Sequence, residues 1–354
     1  MLELLIHRGP KTELIESPIP TPNDDQVVIK VMVSGSNPKD WKRPEWFDVH
    51  INQGDDISGI VHCTGKNVTE FKPGDRVAAF HEIMTPGGSY AEYALAWAST
   101  TFHIPNHTSF EEAATIPLAA MTAAVGLFSR LELPDPWKDS PKETPVLIYG
   151  GATAVGSFAL KLAVKANIHP LIVIAGAGAA HVESLIDRSK GDVIIDYRQE
   201  PDTLVESIQV ALKSRGYTKL YHAFDTVCGH GSASNILRVV HPEGKAAFVL
   251  PVDGQLSSPP PSTLRISETG VRSVHGQPGG RAGDPDLGFV YFRYFSRGLA
   301  QKWFRGHPYQ VRENGLDGVR DALADLKAGK ASAVKYVFRI ADTPALKRAN
   351  TVGE

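Results

Sequence analysis

The chain has 354 residues, 42% of them hydrophobic, with 37 basic against 39 acidic side chains. Its length exceeds what one core usually holds, which predicts two domains, and its near-neutral charge excludes a protein held to nucleic acid or to a membrane surface by electrostatics. Two cysteines exclude a disulfide framework, and no continuous apolar run is expected to span a membrane.

The N-terminal part of the chain is expected to be rich in strands. The opening Met1 to Arg8 lacks the basic start and long apolar middle of a signal peptide, which predicts a cytoplasmic location. Gln26 to Val33 is an apolar run typical of a strand, and the polar segment Asn37 to Lys42 follows it. Two lysines and an aspartate in such a segment are more typical of a solvated loop than of a binding site. The same expectation applies to Asp55 and Asp56.

The turn after Val146 to Tyr149 is the stretch around which the chain is organised. A short apolar strand is followed by two glycines, and a helical period begins near Ser157. The start of a helix presents free backbone N–H groups and a favourable dipole to phosphate, which predicts a dinucleotide pyrophosphate site. The usual G-x-G-x-x-G spacing is absent, so an ordinary tight strand-to-helix turn stays open as an alternative on this turn alone. The predicted contacts are Gly151, Ala152, Thr153, Ala154, Val155 and Gly156.

Strands and helices alternate after this turn. The predicted strands are Leu171 to Ala175, Val193 to Asp196, Leu220 to Asp225, Ala246 to Leu250 and Val271 to His275. Helical segments lie between them, and this spacing predicts an α/β fold with a parallel, doubly wound Rossmann sheet whose ligand binds at the carboxyl ends of its strands. We therefore assign residues 118–275 to a dinucleotide-binding domain, and residues 1–117 with 276–354 to a second, β-rich domain.

The C-terminal part contains a predicted helix that is unusually rich in aromatic residues, from Asp284 to Phe304. A stripe of this kind is more often part of a core, although the wall of an apolar substrate cleft and a dimer face are alternatives. An amphipathic helix from Asp317 to Ala328 and a closing strand from Ala333 to Ile340 are predicted to follow.

Several segments together carry a resemblance to a known family. Gly54 to Val61, Phe71 to Ala78 and Ile195 to Arg198, spaced around the glycine turn, resemble the zinc-free quinone oxidoreductases and enoyl reductases of the medium-chain dehydrogenase/reductase superfamily. Asn37 to Lys42 and Gly329 to Val337 resemble fungal stand-alone enoyl reductases that serve polyketide synthases. The resemblance implies a Rossmann domain with a GroES-like domain, and NADPH-dependent reduction of an activated C=C bond in secondary metabolism. The implied substrate is small and apolar or linked to a carrier, and the protein is expected to be a monomer or a homodimer.

The residue types at two positions predict that no metal is bound. Zinc enzymes of this superfamily have a cysteine where this chain has Asn37, and a His-Glu pair where it has Asp55 and Asp56. A catalytic zinc requires three nitrogen, sulfur or oxygen ligands with an open fourth position, and the cysteine and histidine are missing here.

The second strand of the Rossmann sheet indicates which cofactor is used. NAD sites usually carry an acidic residue about twenty residues beyond the glycine turn, and this chain has Ala175 to Gly178 there, which favours NADPH. The resemblance implies that Tyr197 contacts the 2′-phosphate, and an aromatic residue at a strand end is the alternative. No basic residue stands at 175–181, so the possible substitutes are Arg188, Lys190 and Arg198. The other predicted cofactor contacts are Gly176, Gly178, Leu250 and Val334.

The reaction needs a group that meets the negative charge developing on the acceptor's oxygen. The resemblance implies that Lys42 is this donor or acid; contact with the cofactor ribose, or a surface position, are the alternatives. It also places Asn37 in the same pocket and Thr122 beside the nicotinamide, although a threonine inside a helix is more often only packed. A second hypothesis is a protein that keeps the fold and binds the nucleotide without reducing a substrate, as a structural protein or as the catalyst of a non-redox rearrangement.

Overall fold

The computed structural model describes residues 1–138, 143–252, 256, 259–277 and 280–351, without the side chains of 349–351, and it divides into two units. Unit 1 comprises Met1–Leu118, Val274–Gln277 and Pro285–Glu354, and unit 2 comprises Ala119–Ser273 and Pro278–Asp284. The first boundary proposed from the sequence was 117/118 and the second was 275/276.

The helices and strands are numbered in chain order. The strands are β1 (Leu2–His7), β2 (Lys11–Glu16), β3 (Gln26–Gly35), β4 (Asp56–Thr64), β5 (Arg76–Phe80), β6 (Tyr93–Trp97), β7 (Thr101–His103), β8 (Val146–Tyr149), β9 (Leu171–Ala175), β10 (Val193–Asp196), β11 (Leu220–Asp225), β12 (Val240–Phe248), β13 (Arg265–Glu268), β14 (Tyr309–Arg312) and β15 (Lys335–Arg339). The helices are α1 (Lys39–Phe47), α2 (Phe110–Ala113), α3 (Pro117–Ala124), α4 (Ala154–Lys165), α5 (Ala179–Glu183), α6 (Pro201–Lys213), α7 (Ser232–Leu237), α8 (Asp284–Ala300), α9 (Val319–Lys327) and α10 (Pro344–Thr351).

Unit 1 is built on a mixed sheet with the order β14-β15-β3-β4-β5-β7 in the described part of the chain, and β6 also pairs with β3. The long strand β3 pairs with β6 through its first half and with β15 through its last residues. Aliphatic side chains of these strands form the core. The aromatic stripe of α8 lies partly inside. Phe292 and Phe295 are fully buried, and Phe292 stacks on Phe102 at 5.6 Å between ring centroids, whereas Phe289 is 47% exposed.

Unit 2 contains the predicted doubly wound sheet, which the structure confirms. Its described strands are all parallel and have the order β10-β9-β8-β11-β12-β13. Chain order reverses between β8 and β11, because β9 lies on one side of β8 and β11 on the other. Ligands of such sheets bind at the carboxyl ends of the strands at this switch point. The fold therefore places the end of β8, where the glycine turn begins, at the expected ligand site.

The last strand of this sheet was predicted at the wrong position. Val271–His275 is a 3₁₀-helix, in which Val271 and Val274 lie three residues apart and are both buried. The sheet ends instead with Arg265–Glu268, a largely exposed edge strand with little apolar character. The preceding strand also differs, because it runs over Val240–Phe248 rather than Ala246 to Leu250.

One helical run has the length and composition of a membrane span, contrary to the expectation from the sequence. It covers Phe110–Arg130 and consists of α2, α3 and a π-helical stretch, Val125–Arg130. Its apolar window is 94% buried inside the fold, and core helices of soluble proteins meet the same criteria. We therefore interpret this run as a core helix.

Unit 2 contains a buried ion pair that should make its stability sensitive to acid. Arg130 donates to Asp284 with an Nη2–Oδ2 distance of 2.6 Å, and both side chains are almost fully buried. Burial opposes ionisation of Asp284, but hydrogen bonds from Arg130, Ser129 and Ser273 lower its pKa to about 2.

A depressed carboxyl pKa stabilises the fold above the unfolded value near 4, and this contribution is lost as the pH falls toward 2. The free energy of unfolding should fall by about 1–2 kcal/mol over this range through Asp284 alone. Urea unfolding at several pH values would measure this, and the variant Asp284→Asn, although less stable, should lose that part of the pH dependence. If the free energy of unfolding falls as much at low pH in Asp284→Asn as in the original protein, the assignment to Asp284 is wrong.

Candidate functional site

The glycine turn joins β8 to α4 through a backbone that only glycine fits. Gly150 has a φ of +91°, a conformation that side chains with a Cβ rarely adopt. A Cβ on Gly156 would lie 2.2 Å from the carbonyl oxygen of Gly150, and one on Gly151 would lie 2.2 Å from Val173. The two segments of the turn are therefore in direct contact, which brings the start of α4 over the end of β8.

The start of α4 offers unused backbone donors. Thr153 is the N-cap residue, and its hydroxyl accepts a 2.9 Å hydrogen bond from the N–H of Gly156. In the described part of the chain, the N–H groups of Ala154 and Val155 donate to no protein acceptor. These residues are half-buried, so a ligand can reach them. Two free N–H groups at a helix N-terminus beside a glycine cradle fit the diphosphate of a dinucleotide.

Thr226 supports this turn and was missed in the sequence. It follows β11 on the other side of the switch point, and its hydroxyl lies 2.8 Å from the carbonyl oxygen of Tyr149 and 3.0 Å from that of Gly150. The hydroxyl of Thr153 is 2.9 Å away. The rule that ligands bind where the strand order reverses could have pointed to the residue after β11, but the position of β11 next to β8 is known only from the fold.

Replacing Thr226 by valine should loosen the turn without touching the reacting groups. The carbonyl oxygens of Tyr149 and Gly150 would lose a donor worth about 1 kcal/mol, which corresponds to roughly fivefold weaker binding of the dinucleotide. We expect the dissociation constant for NADPH to rise by this factor and kcat to stay near the original value, while Thr226→Ser restores the affinity. Equal affinity in the valine variant would contradict the role.

The other predicted cofactor residues of unit 2 lie at neighbouring strand ends. Gly176 follows β9 and packs under the ring of Tyr197, where a Cβ would meet the ring carbon Cε1 at 2.3 Å. Tyr197 follows β10 and is 48% exposed, so its hydroxyl is accessible. Gly178 is the buried N-cap residue of α5. Leu250 lies just beyond β12 and packs partly buried against the core of unit 2.

The three basic residues considered for the 2′-phosphate all have partners. Arg198 lies next to Tyr197 and forms a 2.5 Å ion pair with Asp196, so its charge is already compensated. Arg188 is paired with Glu183, and Lys190 donates to the side chain of Asn167. Burial and the nearby Lys161 lower the pKa of His181, so this ring adds no positive charge at neutral pH. A phosphate would therefore depend on Tyr197 and on partial displacement of Asp196.

Unit 1 holds a group of buried charges around Asn37. Lys335 pairs with Asp56 at 2.5 Å, and both side chains are at most 3% exposed. Both ends of the Asn37 amide are occupied: its Nδ2 donates to Asp56 at 2.6 Å, and its Oδ1 accepts from Lys335 at 3.1 Å. The backbone N–H of Leu118 donates to the other carboxylate oxygen of Asp56 at 2.7 Å. Asn37 therefore links the start of β4 to the start of β15, and its amide, in a residue that is 4% exposed, is engaged within the protein.

The group continues through Asp40, which lies in the first turn of α1. Its carboxylate accepts from the Asn37 N–H at 2.7 Å and from the hydroxyl of Tyr90 at 2.6 Å. Burial and the nearby Asp40 raise the pKa of Tyr90 well above its usual value, so this hydroxyl stays a donor. Lys39 contacts both Asp40 and Asp55, and Asp55 also pairs with His81 at 2.9 Å.

This arrangement overturns the expectation that the polar residues after β3 form a solvated loop. Lys39 opens helix α1, and Asp40, Asp55 and Asp56 are at most 1% exposed. Each carboxylate has a lysine ammonium beside it, Lys39 for Asp40 and Asp55 and Lys335 for Asp56, which offsets the cost of burying its charge. Among the residues that the structure describes, no three histidine, cysteine or carboxylate side chains are grouped as a metal site. The ammonium of Lys39 lies between Asp40 and Asp55.

Lys42 lies in α1, beyond this buried group. Its side chain is half-buried, and its Nζ lies 5.6 Å from the ring centroid of Trp41 and 5.9 Å from that of Trp46. Of the remaining predicted residues, Thr122 is buried in α3, and Val334 is partly buried against the core of unit 1, just before β15. The structure thus keeps Lys42 on an accessible helix while it fixes Asn37 in the interior.

Comparison with known proteins relates both units to enzymes. The family model for the alcohol dehydrogenase GroES-like domain matches residues 23–106. The trans-enoyl reductase fsr4 of Gibberella fujikuroi is 45% identical over 316 residues, which cover 88% of this chain and 90% of that protein. The solved structure of CurK enoyl reductase has a TM-score of 0.71 at 19% identity, covering 95% and 98% of the two chains. A mycobacterial protein complexed with NADPH has a TM-score of 0.72 at 18% identity, covering 95% and 99%.

Proposed function

The chain belongs to the trans-enoyl reductases of the medium-chain dehydrogenase/reductase family, and from this premise we propose that it uses NADPH to reduce an enoyl thioester. It is thus a reductase of activated C=C bonds that acts on a small unsaturated substrate with a nicotinamide cofactor. The observation that carries the proposal is the turn at the end of β8, where the N–H groups of Ala154 and Val155 have no protein acceptor and lie beside a glycine cradle. Enones and quinones are further acceptors of the same chemistry.

The residues of the turn would hold the diphosphate, and the bound cofactor would supply a hydride to the β-carbon of the double bond. Gly151 and Gly156 allow the end of β8 and the start of α4 to pack closely, while Thr153 and Thr226 keep the turn in shape. The chain itself must then meet the charge that develops on the thioester oxygen.

We assign to Lys42 the role of stabilising this negative charge on the thioester oxygen. Lys42 is on a helix whose first turn is anchored through Asp40 and Asn37, so the backbone that carries its side chain is in place before substrate binds. Asn37 acts as a positioning residue, because both ends of its amide are bound within the protein. Lys42→Met should lower kcat/KM by about 10²–10³-fold, the usual cost of losing one donor to a developing oxyanion.

Two features favour NADPH over NADH. The segment after β9, Ala175 to Gly178, contains no carboxylate that would repel a 2′-phosphate, and the exposed Tyr197 lies beside it. A structural neighbour has been solved with NADPH bound. One feature disfavours NADPH: Arg198 forms an ion pair with Asp196 and is not available to a 2′-phosphate without breaking that pair. We expect a preference for NADPH that is moderate compared with that of enzymes with a free arginine at this place.

A direct assay tests the proposal. Purified protein is mixed with NADPH or NADH and with crotonyl-CoA, an enone and a quinone, and cofactor oxidation is followed by absorbance while products are identified by mass spectrometry. We expect NADPH to be consumed and the thioester to gain two hydrogens, a hydride from the cofactor at the β-carbon and a proton from solvent at the α-carbon. Product formed without cofactor consumption, or tight NADPH binding without turnover on any acceptor, would favour the non-redox alternative instead.

A further inference from the structure

The ammonium of Lys39 lies among three oxygens of unit 1. Its Nζ donates to the carbonyl oxygen of Gln53 at 2.6 Å, lies 2.8 Å from Asp40 Oδ1 and also contacts Asp55 Oδ2. Beyond this contact, neither carboxylate oxygen has a hydrogen-bond partner among the described residues. Carboxylate and carbonyl oxygens around one positive centre have the composition of a cation site. We call these three oxygens of Asp40, Gln53 and Asp55 the oxygen cage.

The two carboxylates of the oxygen cage are held by contacts that do not involve the lysine. The second oxygen of Asp40 accepts a 2.6 Å hydrogen bond from the hydroxyl of Tyr90. The second oxygen of Asp55 lies 2.9 Å from Nδ1 of His81. We therefore expect the cage to keep its arrangement when the side chain of Lys39 is shortened.

The oxygen cage requires a positive charge. Asp40 and Asp55 are at most 1% exposed, so bulk water does not solvate their carboxylates. Burial opposes the charge on Lys39, but the two carboxylates outweigh burial and raise the pKa of this lysine above its ordinary value. A buried carboxylate without a counter-charge is costly. Loss of the ammonium should therefore leave a site with affinity for another cation.

Hard divalent cations match the oxygen cage better than zinc does. Calcium takes oxygen ligands at about 2.3–2.6 Å, close to the 2.6 and 2.8 Å that separate the ammonium from Gln53 and Asp40. Zinc prefers nitrogen and sulfur ligands, and the ring of His81 is already engaged with Asp55 and with a backbone carbonyl. The side chain of Lys39 is 16% exposed, so water can reach the cage and complete a calcium shell once the lysine is shortened.

We propose that Lys39 is a tethered cation, whose ammonium fills a site that would otherwise bind a hard divalent cation such as Ca²⁺. The lysine thereby makes this part of unit 1 independent of metal. The inference goes beyond the proposed function and does not depend on it, because cation binding is measured without turnover.

The test removes the lysine and measures calcium binding. Lys39→Ala is dialysed against a chelator and titrated with Ca²⁺ at pH 8 by isothermal calorimetry. We expect one ion per chain with a dissociation constant on the order of 10⁻⁴–10⁻³ M, the range of weak calcium sites, and at least about tenfold weaker binding in the original protein. Ca²⁺ should also raise the thermal midpoint of Lys39→Ala, since a ligand that binds only the folded chain stabilises it.

Two further variants show whether the oxygen cage is the site. Lys39→Ala/Asp55→Asn lacks one of the two carboxylates and should bind Ca²⁺ at least about tenfold more weakly than Lys39→Ala. Lys330→Ala removes an exposed lysine from its pair with Asp325 and should gain no calcium binding. The inference is wrong if Lys39→Ala binds Ca²⁺ no more tightly than Lys330→Ala does, or if the original protein binds it as tightly as Lys39→Ala.

A measurement on the original protein decides the matter if Lys39→Ala does not fold even with Ca²⁺. Reductive methylation followed by mass spectrometry compares the labelling rates of Lys39 and Lys330. We expect Lys39 to react at least about tenfold more slowly, because its contacts with the oxygen cage must break before its amine can react. Equal rates would show that the ammonium does not occupy the cage.

Discussion

Replacing Gly156 by valine should weaken NADPH binding at least a hundredfold, or by about 3 kcal/mol. The first side-chain carbon would lie 2.2 Å from the carbonyl oxygen of Gly150, which is backbone and cannot move without opening the turn. Opening the turn would displace the start of α4 and, with it, the unused N–H groups of Ala154 and Val155. Isothermal calorimetry with NADPH measures the loss.

A glycine in open space provides the matched control for this variant. Gly270 belongs to unit 2, and no atom lies within 4 Å of where its Cβ would be. Gly270→Ala should therefore bind NADPH as tightly as the original protein. Binding of Gly156→Val within threefold of the original would show that the diphosphate lies elsewhere, and would remove the main support for the proposed function.

Replacing Lys335 by methionine should lower the free energy of unfolding by about 3–5 kcal/mol. The substitution leaves the carboxylate of Asp56, which is fully buried, without its counter-charge. It also removes the donor to the Asn37 amide, so the start of α1 loses part of its support. Urea denaturation measures the change, and kcat/KM should fall as well, because Lys42 is on the helix that follows.

Two further variants separate the buried charge from ordinary loss of packing. In Asp56→Asn/Lys335→Met the unpaired charge is gone, and at least half of the lost stability should return. Lys330→Met removes a largely exposed lysine that pairs with Asp325, and this should cost less than about 1 kcal/mol. If Lys335→Met costs no more than Lys330→Met, the buried pair does not have the proposed structural role.

The sequence was most informative where a local pattern fixes the outcome. The strands β9, β10 and β11 were predicted with their observed bounds, because short, mostly apolar runs at this regular spacing favour the strands of a βαβ fold. β13 was missed because an exposed edge strand with the sequence of Arg265 to Glu268 has no such pattern. Val271 to His275 was predicted as a strand although it is a 3₁₀-helix. Its two valines are three residues apart, and this spacing is compatible with either structure.

The candidate site was harder to predict because its decisive contacts are distant in sequence. Nothing near Asp56 indicates that it is buried, since its partner Lys335 is 279 positions away. The resemblance directed attention to Asn37 and Lys42, but the occupied amide of Asn37 became visible only in the fold. Thr226 was missed for a similar reason, because its place beside the glycine turn depends on the order of the strands.

The way in which β15 completes the sheet of unit 1 bears on how the protein is made. β3 precedes unit 2 in the sequence, whereas β15, the strand that pairs with its last residues, follows unit 2. Unit 2 is nearly continuous in sequence, so it has all its strands as soon as residue 268 has emerged. Co-translational folding therefore begins with unit 2, and Asp56 must wait for its lysine, which lies 279 positions later in the sequence.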